Sequence, residues 1–199
     1  MINTENIPAI LKEIGLFCLT KNKQPICPSG GNAKPNDPKS FGTLESCIGV
    51  LEKHPNKGYG LGLGLFGDLV GIDIDHCVGD DGELSEMAKT IVELMDSYTE
   101  FSPSGSGVHI LCSAPGFTYD KSRYYTKNST IGLEVYVAGC TNRYLTVTGK
   151  TIHGADISKR NEELQTLFDS YMLRGKTAAD NPKESFQFSK SSVEKEGMP

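Results

Sequence analysis

The sequence predicts an α+β fold built on an antiparallel or mixed sheet, and three observations predict it. Strand-like runs follow one another without intervening helices: Tyr98 to Phe101, Val108 to Cys112, Ile131 to Val137 and Arg143 to Thr148. Helical spacing of apolar residues is confined to Asn6–Gly15, Thr43–Lys53, Ser85–Asp96 and Ser158–Met172. Strand–helix–strand units are few, which disfavours a parallel doubly wound sheet. The 199 residues suffice for one sizeable domain or two small lobes sharing a core. With 37% hydrophobic and 23% charged residues, the composition is that of a soluble globular chain.

Each element has a local reason. Ile7, Ile10, Leu11 and Ile14 repeat at helical spacing, and Gly15 is a natural terminator. Leu16 to Leu19 is a short apolar strand. From Thr20 to Ser40 four prolines and Gly30-Gly31 break all periodicity, so a long loop is expected. It carries Lys21, Lys23, Lys34 and Lys39 against Asp37 alone, which suits either a solvated loop or a phosphate-contacting arm. Thr43 can cap a helix with Leu44, Ile48 and Leu51 inward. Tyr59 to Phe66 alternates glycine and leucine, the pattern of a strand with one bare face that a backbone or ligand can approach closely. No GK[ST] follows it, so it is not a P-loop. Gly67-Asp68 reads as a turn that makes a hairpin with the next strand.

After the Asp80-Asp81-Gly82 turn, Met87, Ile91, Leu94 and Met95 mark one helix. Leu164, Leu167, Phe168 and Tyr171 mark the last one. Pro115 to Thr130 reads as a second loop, with Lys121, Arg123 and Lys127 beside Tyr119, Tyr124 and Tyr125. Residues 1–175 are read as the folded unit, two lobes sharing one cleft, and 176–199 as a polar linker or disordered tail.

Composition also excludes functions. No apolar run approaches the ~20 residues of a membrane span, and Met1 to Ala9 lacks the basic and apolar regions of a secretory signal. None of the six cysteines forms a CxxC pair, so a zinc ribbon is not expected, and a reducing cytoplasm is the expected location. Cys18, Cys112 and Cys140 read as buried small hydrophobes. The net charge of −5 argues against a general nucleic-acid coat and leaves room for a local basic groove.

The chemistry centres on Leu69-Val70-Gly71-Ile72-Asp73-Ile74-Asp75-His76. Residues i and i+2 of a strand share a face, so Asp73 and Asp75 lie side by side, about 7 Å apart along the strand. Such a pair is either two solvated acids or a seat for a hard cation, which prefers carboxylate oxygens. Three further features join it. His109 follows Ser102-Pro103-Ser104-Gly105-Ser106-Gly107, a connection rich in hydroxyl and backbone N–H donors. Glu134 is an acid inside an apolar strand, hence either solvent-facing or paired. Arg143 opens a strand and can clamp a phosphate. Carboxylates, a histidine and basic loops together suit phosphoryl transfer at a two-metal site.

Taken in order, Val70 to Cys77, Asp81 to Ser85, Tyr98 to Ile110, Leu133 to Tyr136 and Arg143 to Gly149 resemble the primase-polymerase (PrimPol) domain of the archaeo-eukaryotic primase superfamily. The likeness is to forms carried by phages, plasmids and other mobile elements. It extends upstream through Lys23-Gln24-Pro25, Ser29-Gly30-Gly31, Asp37-Pro38 and Phe41-Gly42-Thr43, and covers roughly residues 10–172. The resemblance implies an archaeo-eukaryotic primase-like core: an RRM-like catalytic sheet with an N-terminal α/β lobe. It implies Mg²⁺ or Mn²⁺ held by Asp73, Asp75 and Glu134, and contact of His109 with the phosphates of an incoming dNTP or NTP. Where many members have Ser-x-His, this chain has Gly107-Val108-His109, so the hydroxyl role passes to Ser104, to Ser106 or to backbone N–H groups.

The expected activity is template-directed nucleotidyl transfer on single-stranded DNA in a bacterial, phage or plasmid setting. Template contacts are expected from Lys21, Lys23, Lys34, Lys121, Arg123 and Tyr124. A helicase or C-terminal helical domain, on this or a separate chain, is the expected partner. The alternatives are a replication-initiation module that needs a partner for synthesis, and a metal-dependent phosphodiesterase.

Overall fold

A computed structural model describes residues 2–154 and 156–175. The chain runs α1 (Ala9–Ile14), β1 (Phe17–Lys21), β2 (Gln24–Ile26), α2 (Leu44–Lys53), β3 (Gly60–Gly64) and β4 (Leu69–Ile74). It continues with α3 (Glu86–Met95), β5 (Thr99–Phe101), β6 (Val108–Ser113), β7 (Lys127–Asn128), β8 (Leu133–Val137), β9 (Tyr144–Val147), β10 (Thr151–His153) and α4 (Asn161–Leu167). A π-helical turn, Phe168–Met172, extends α4. The expected tail, 176–199, lies outside the described residues.

Two antiparallel sheets result. One has the order β2-β1-β3-β9 and the other β10-β5-β6-β4-β8-β7. The period of two in β4 explains how they stack. Val70, Ile72 and Ile74 point to one face, where Val108, Ile110, Cys112, Leu133 and Val135 join Ile91 and Met95 of α3 and Leu164 and Leu167 of α4. Leu69, Gly71 and Asp73 take the other face. There Leu69 and Leu111 meet Leu61, Leu63, Leu65, Leu145 and Val147 of the four-stranded sheet. Gly71 lets that sheet come close: a Cβ built on it would stand 2.9 Å from Leu65 Cδ1. Asp73 therefore continues a face whose upper part is buried between the sheets.

Helix caps behave as local chemistry dictates. Thr43 Oγ1 accepts from Ser46 N and Ser85 Oγ from Ala88 N, each satisfying an otherwise orphaned N–H. Gly15 ends α1 in the left-handed region, at φ 65°. On α2 the fully buried residue is Cys47, while Leu44, Ile48 and Leu51 are half-buried. Burial pushes the thiol of Cys18 to about 12 and that of Cys47 to about 11, so both are inert hydrophobes. Cys112 is likewise buried, whereas Cys140 is only half-buried, contrary to expectation.

Four other expectations are corrected. The span 20–40 is not one loop: β1 and β2 form a hairpin through Asn22 and Lys23, at φ 51° and 60°. Positive φ at both central residues is the type I′ geometry that matches strand twist. β3 and β4 do not form a hairpin, because β3 pairs with β1 and β9 while β4 pairs with β6 and β8 in the other sheet. The glycine face of β3 is closed to ligands. A Cβ on Gly64 would strike the Phe66 and Phe41 rings, and one on Gly62 would strike Cys18 and Thr20. The loop 115–130 contains β7, which pairs Lys127 with Glu134.

Candidate catalytic site

Sheet register builds the site. Asp73 on β4 pairs with His109 on β6 and with Glu134 on β8. Beyond them His109 pairs with Glu100 on β5, and Glu134 with Lys127 on β7. Directly opposed residues of neighbouring strands share a face. Lys127, Glu134, Asp73, His109 and Glu100 thus form one polar row across five strands. It runs on the face that the leucines of the other sheet cover only in part.

Asp75 stands just past the end of β4, exposed, on the same parity as Asp73. Its backbone is gripped on both sides by glycine. Asp75 N donates to Gly132 O at 2.8 Å, and a Cβ on Gly132 (φ 67°) would come within 3.0 Å of Asp75 O. On the other flank, a Cβ on Gly107 would stand 2.6 Å from Ile74 O and 3.4 Å from Asp75 Cα. These two glycines let three strands converge at the carboxylates.

Electrostatics mark Asp73. Burial first, then the charges of Asp75 and Glu134, push its carboxyl above the usual carboxylate range, opposed by His109 and Lys127. His109 is nearly buried, at 4% exposure. Its Nδ1–H donates to Thr146 O of β9 at 2.9 Å, and Nε2 lies 3.5 Å from Asp73 Oδ1. Glu134 accepts from Tyr136 Oη and pairs with Lys127 Nζ. The Arg143 guanidinium stands 5.7 Å from the centre of the Tyr136 ring, so it reaches the site's edge one side chain away from Glu134. Ser104 Oγ lies 3.0 Å from Ser102 Oγ and 2.9 Å from Ser106 Oγ, a string of hydroxyls in the turn that ends at Gly107.

The donor set fits a hard divalent cation in kind, since carboxylate oxygens are what such ions choose and the like charges around Asp73 are what an ion would relieve. Among the described residues no three His, Cys, Asp or Glu side chains already converge as a metal cage. Glu134 is turned to Lys127 and Tyr136.

The template residues are dispersed. Lys21 and Lys23 sit on the β1–β2 hairpin at the outer edge of the four-stranded sheet, and Lys34 is exposed in the following loop. Lys121 Nζ donates to Cys140 O, and Arg123 covers the Tyr124 ring at 5.1 Å. Tyr124 itself is 5% exposed, packed edge-on to Phe168 and donating to Asp169. It is a core residue and cannot stack a base, which corrects its assignment.

Sequence reasoning missed Glu100 and Tyr136, and placed Lys127 only among the loop cations. The available signal was the cross-strand one: Glu100 opposes His109 once β5 and β6 are paired through the serine-rich turn.

No family model matches the chain. It is similar to the DNA primase-polymerase of Nitratiruptor phage NrS-1, with 32% identity over 138 residues. The match takes in 67% of this chain and 18% of that relative, so the chain spans under a fifth of the relative's length.

Proposed function

We propose that this chain is the catalytic domain of a DNA primase-polymerase. It transfers nucleotides from nucleoside triphosphates to a 3′-OH on a single-stranded DNA template. The observation that carries the reading is the row Glu134–Asp73–His109 beside Asp75, in a chain similar to a phage protein of that name.

Asp73, Asp75 and Glu134 would hold Mg²⁺ or Mn²⁺. Divalent cations bound there supply charge stabilisation to the attacking and leaving oxygens of an in-line displacement. The protein's own residues do the rest. Nδ1–H of His109 is committed to Thr146 O, so Nε2 is the nitrogen presented to the site, where the ring carrying an N–H on both nitrogens would donate from Nε2 to a phosphate oxygen. The hydroxyls and N–H groups of Ser104, Ser106 and Gly107 offer further donors beside Asp75. Arg143 supplies a planar fork for the outer phosphates. In the transfer, the 3′ oxygen bonds to the α-phosphorus, the bond to the bridging oxygen breaks, and pyrophosphate leaves.

A second reading, a replication-initiation module that needs a partner chain, is favoured by one observation: Glu134 is occupied by Lys127 rather than joined to the aspartates. One assay separates the readings. A single-stranded template with Mg²⁺ or Mn²⁺ and either dNTPs or NTPs is incubated with and without a labelled primer. Extension by the chain alone supports the first reading. Nucleotide binding without extension supports the second. Cleavage of the DNA with no affinity for intact triphosphate would replace both with a phosphodiesterase.

A further inference from the structure

Glu100 is the most deeply buried carboxylate of the row, at 0% exposure, and the chemistry above gives it no task. It is not idle. Its Oε1 accepts from Thr148 N at 2.8 Å, and its Oε2 accepts from Gly149 N at 2.7 Å and from Tyr98 Oη at 2.7 Å. Burial and the Glu100 charge push the Tyr98 phenol up, so it remains a donor. Three charge-assisted bonds are what a buried carboxylate requires, and they tie β5 of one sheet to the end of β9 in the other.

The same Oε1 lies 3.8 Å from His109 Nδ1. Nδ1 therefore faces two acceptors, Thr146 O and the Glu100 carboxylate, and carries a proton, and a contact from Nε2 to a phosphate oxygen uses the ring's second N–H. Thr146 is two residues from Thr148, whose N–H Glu100 holds. Glu100 thus sets the ring from two directions, through its own charge and by anchoring the strand that carries the carbonyl acceptor.

We propose that Glu100 is a positioning residue: it orients the His109 ring, so that Nε2 is presented to the triphosphate. The inference rests on the reading of His109 as a phosphate contact.

The test is a double-mutant cycle on the full chain, with the dissociation constant of dNTP plus Mn²⁺ measured by calorimetry for wild type, Glu100→Gln, His109→Ala and the double variant. Glu100→Gln keeps size but removes the charge and turns an NH₂ group toward existing donors. Loss of a ring-orienting partner elsewhere costs 10–100-fold, so a rise in Kd of about tenfold is expected in the wild-type background. In the His109→Ala background the same change should shift Kd less than about twofold, since there is no ring left to orient. Equal shifts in both backgrounds, or native affinity in Glu100→Gln, overturn the positioning role while leaving His109 in the site. Native affinity in His109→Ala overturns the phosphate-contact reading, and the positioning role with it. If Glu100→Gln does not fold, Tyr98→Phe takes its place in the cycle. It keeps the ring in the core and removes one of the three donors, and the same coupling to His109 is expected at smaller size. Additive effects of Tyr98→Phe and His109→Ala overturn the proposal equally.

Discussion

At Asp73, burial and two like-charged neighbours oppose ionisation, and only His109 and Lys127 favour it. The folded chain therefore holds the Asp73 proton more tightly than the unfolded chain does. The cost is full above the raised folded value and is relieved as pH falls through it. An asparagine removes the cost at every pH. Asp73→Asn should accordingly melt at a higher temperature than wild type at pH 7, with the gap narrowing on acidification, and should extend no primer. A lower melting temperature at pH 7 would show that the contact with His109 outweighs the repulsion. Glu134→Gln differs, because Lys127 and Tyr136 already satisfy Glu134. Under the proposed function its charge matters to chemistry more than to folding. The turnover number of Glu134→Gln should fall by about 100-fold or more, since bound cations contribute several kcal/mol in the transition state. The melt should move little. Unchanged turnover across an Mn²⁺ titration would leave Glu134 as Lys127's ion-pair partner only.

Elements away from the row can be altered without touching it. Arg160 ties the end of α3 to α4: its Nε donates to Met95 O at 2.7 Å and its Nη2 to Asp96 O at 2.8 Å and Asp96 Oδ2 at 3.0 Å. Asp96, held at φ 32°, also receives His153 Nε2–H at 2.9 Å, and that bond, then Arg160, holds its carboxyl below the usual range. Hydrogen bonds to charged groups are worth ~1.5–3 kcal/mol. Arg160→Ala should therefore lower the melting temperature by about 3–12 °C, at ~2–4 °C per kcal/mol for a chain of this size. Nucleotide affinity should stay native, because α3 and α4 cover the face opposite Asp73; a weakened affinity would mean that the two faces are coupled. This division also explains what the sequence made legible. α2 and α3 announce themselves through Thr43 and Ser85, whose capping is local chemistry. β4, β6 and β8 announce themselves through alternation. β2, β7 and β10 are two or three residues long and owe their pairing to tertiary partners, so no local pattern marks them. Gly67 does turn the chain, at φ 61°, but a turn signal cannot say that the strands it joins enter different sheets. Asp73, His109 and Glu134 could be named from residue type. That they are neighbours in register, with Glu100 and Lys127 at the ends of the row, follows only from strand order.

For the whole molecule, the proposed function asks an acidic protein with an acidic site to hold an anionic strand. With a net charge of −5, long-range attraction is absent, and affinity has to come from cations that touch phosphates. The candidate cations form two sets. Lys21, Lys23 and Lys34 belong to the β1–β2 hairpin and the loop after it, where Lys21 Nζ also rests 5.6 Å from the centre of the Tyr59 ring. Lys121 and Arg123 lie in the loop that carries Tyr124. They are not equivalent, because Lys121 is engaged with Cys140 O and Arg123 with the Tyr124 ring, whereas Lys23 and Lys34 are exposed and make no such side-chain contact among the described residues. Counterion release lowers the logarithm of the binding constant by ~0.7 per single-strand phosphate contact for each decade of salt. Lys21→Gln/Lys23→Gln/Lys34→Gln should therefore flatten the salt dependence of single-stranded DNA binding by up to about 2 in slope, read by fluorescence anisotropy between low and physiological salt. Lys121→Gln should change it by less than one contact's worth. Tyr124→Phe should leave template affinity native and lower stability instead, because its ring is packed against Phe168 and its hydroxyl is spent on Asp169. A slope that survives the triple substitution would remove the hairpin from the template path, and would leave the second loop to carry the strand.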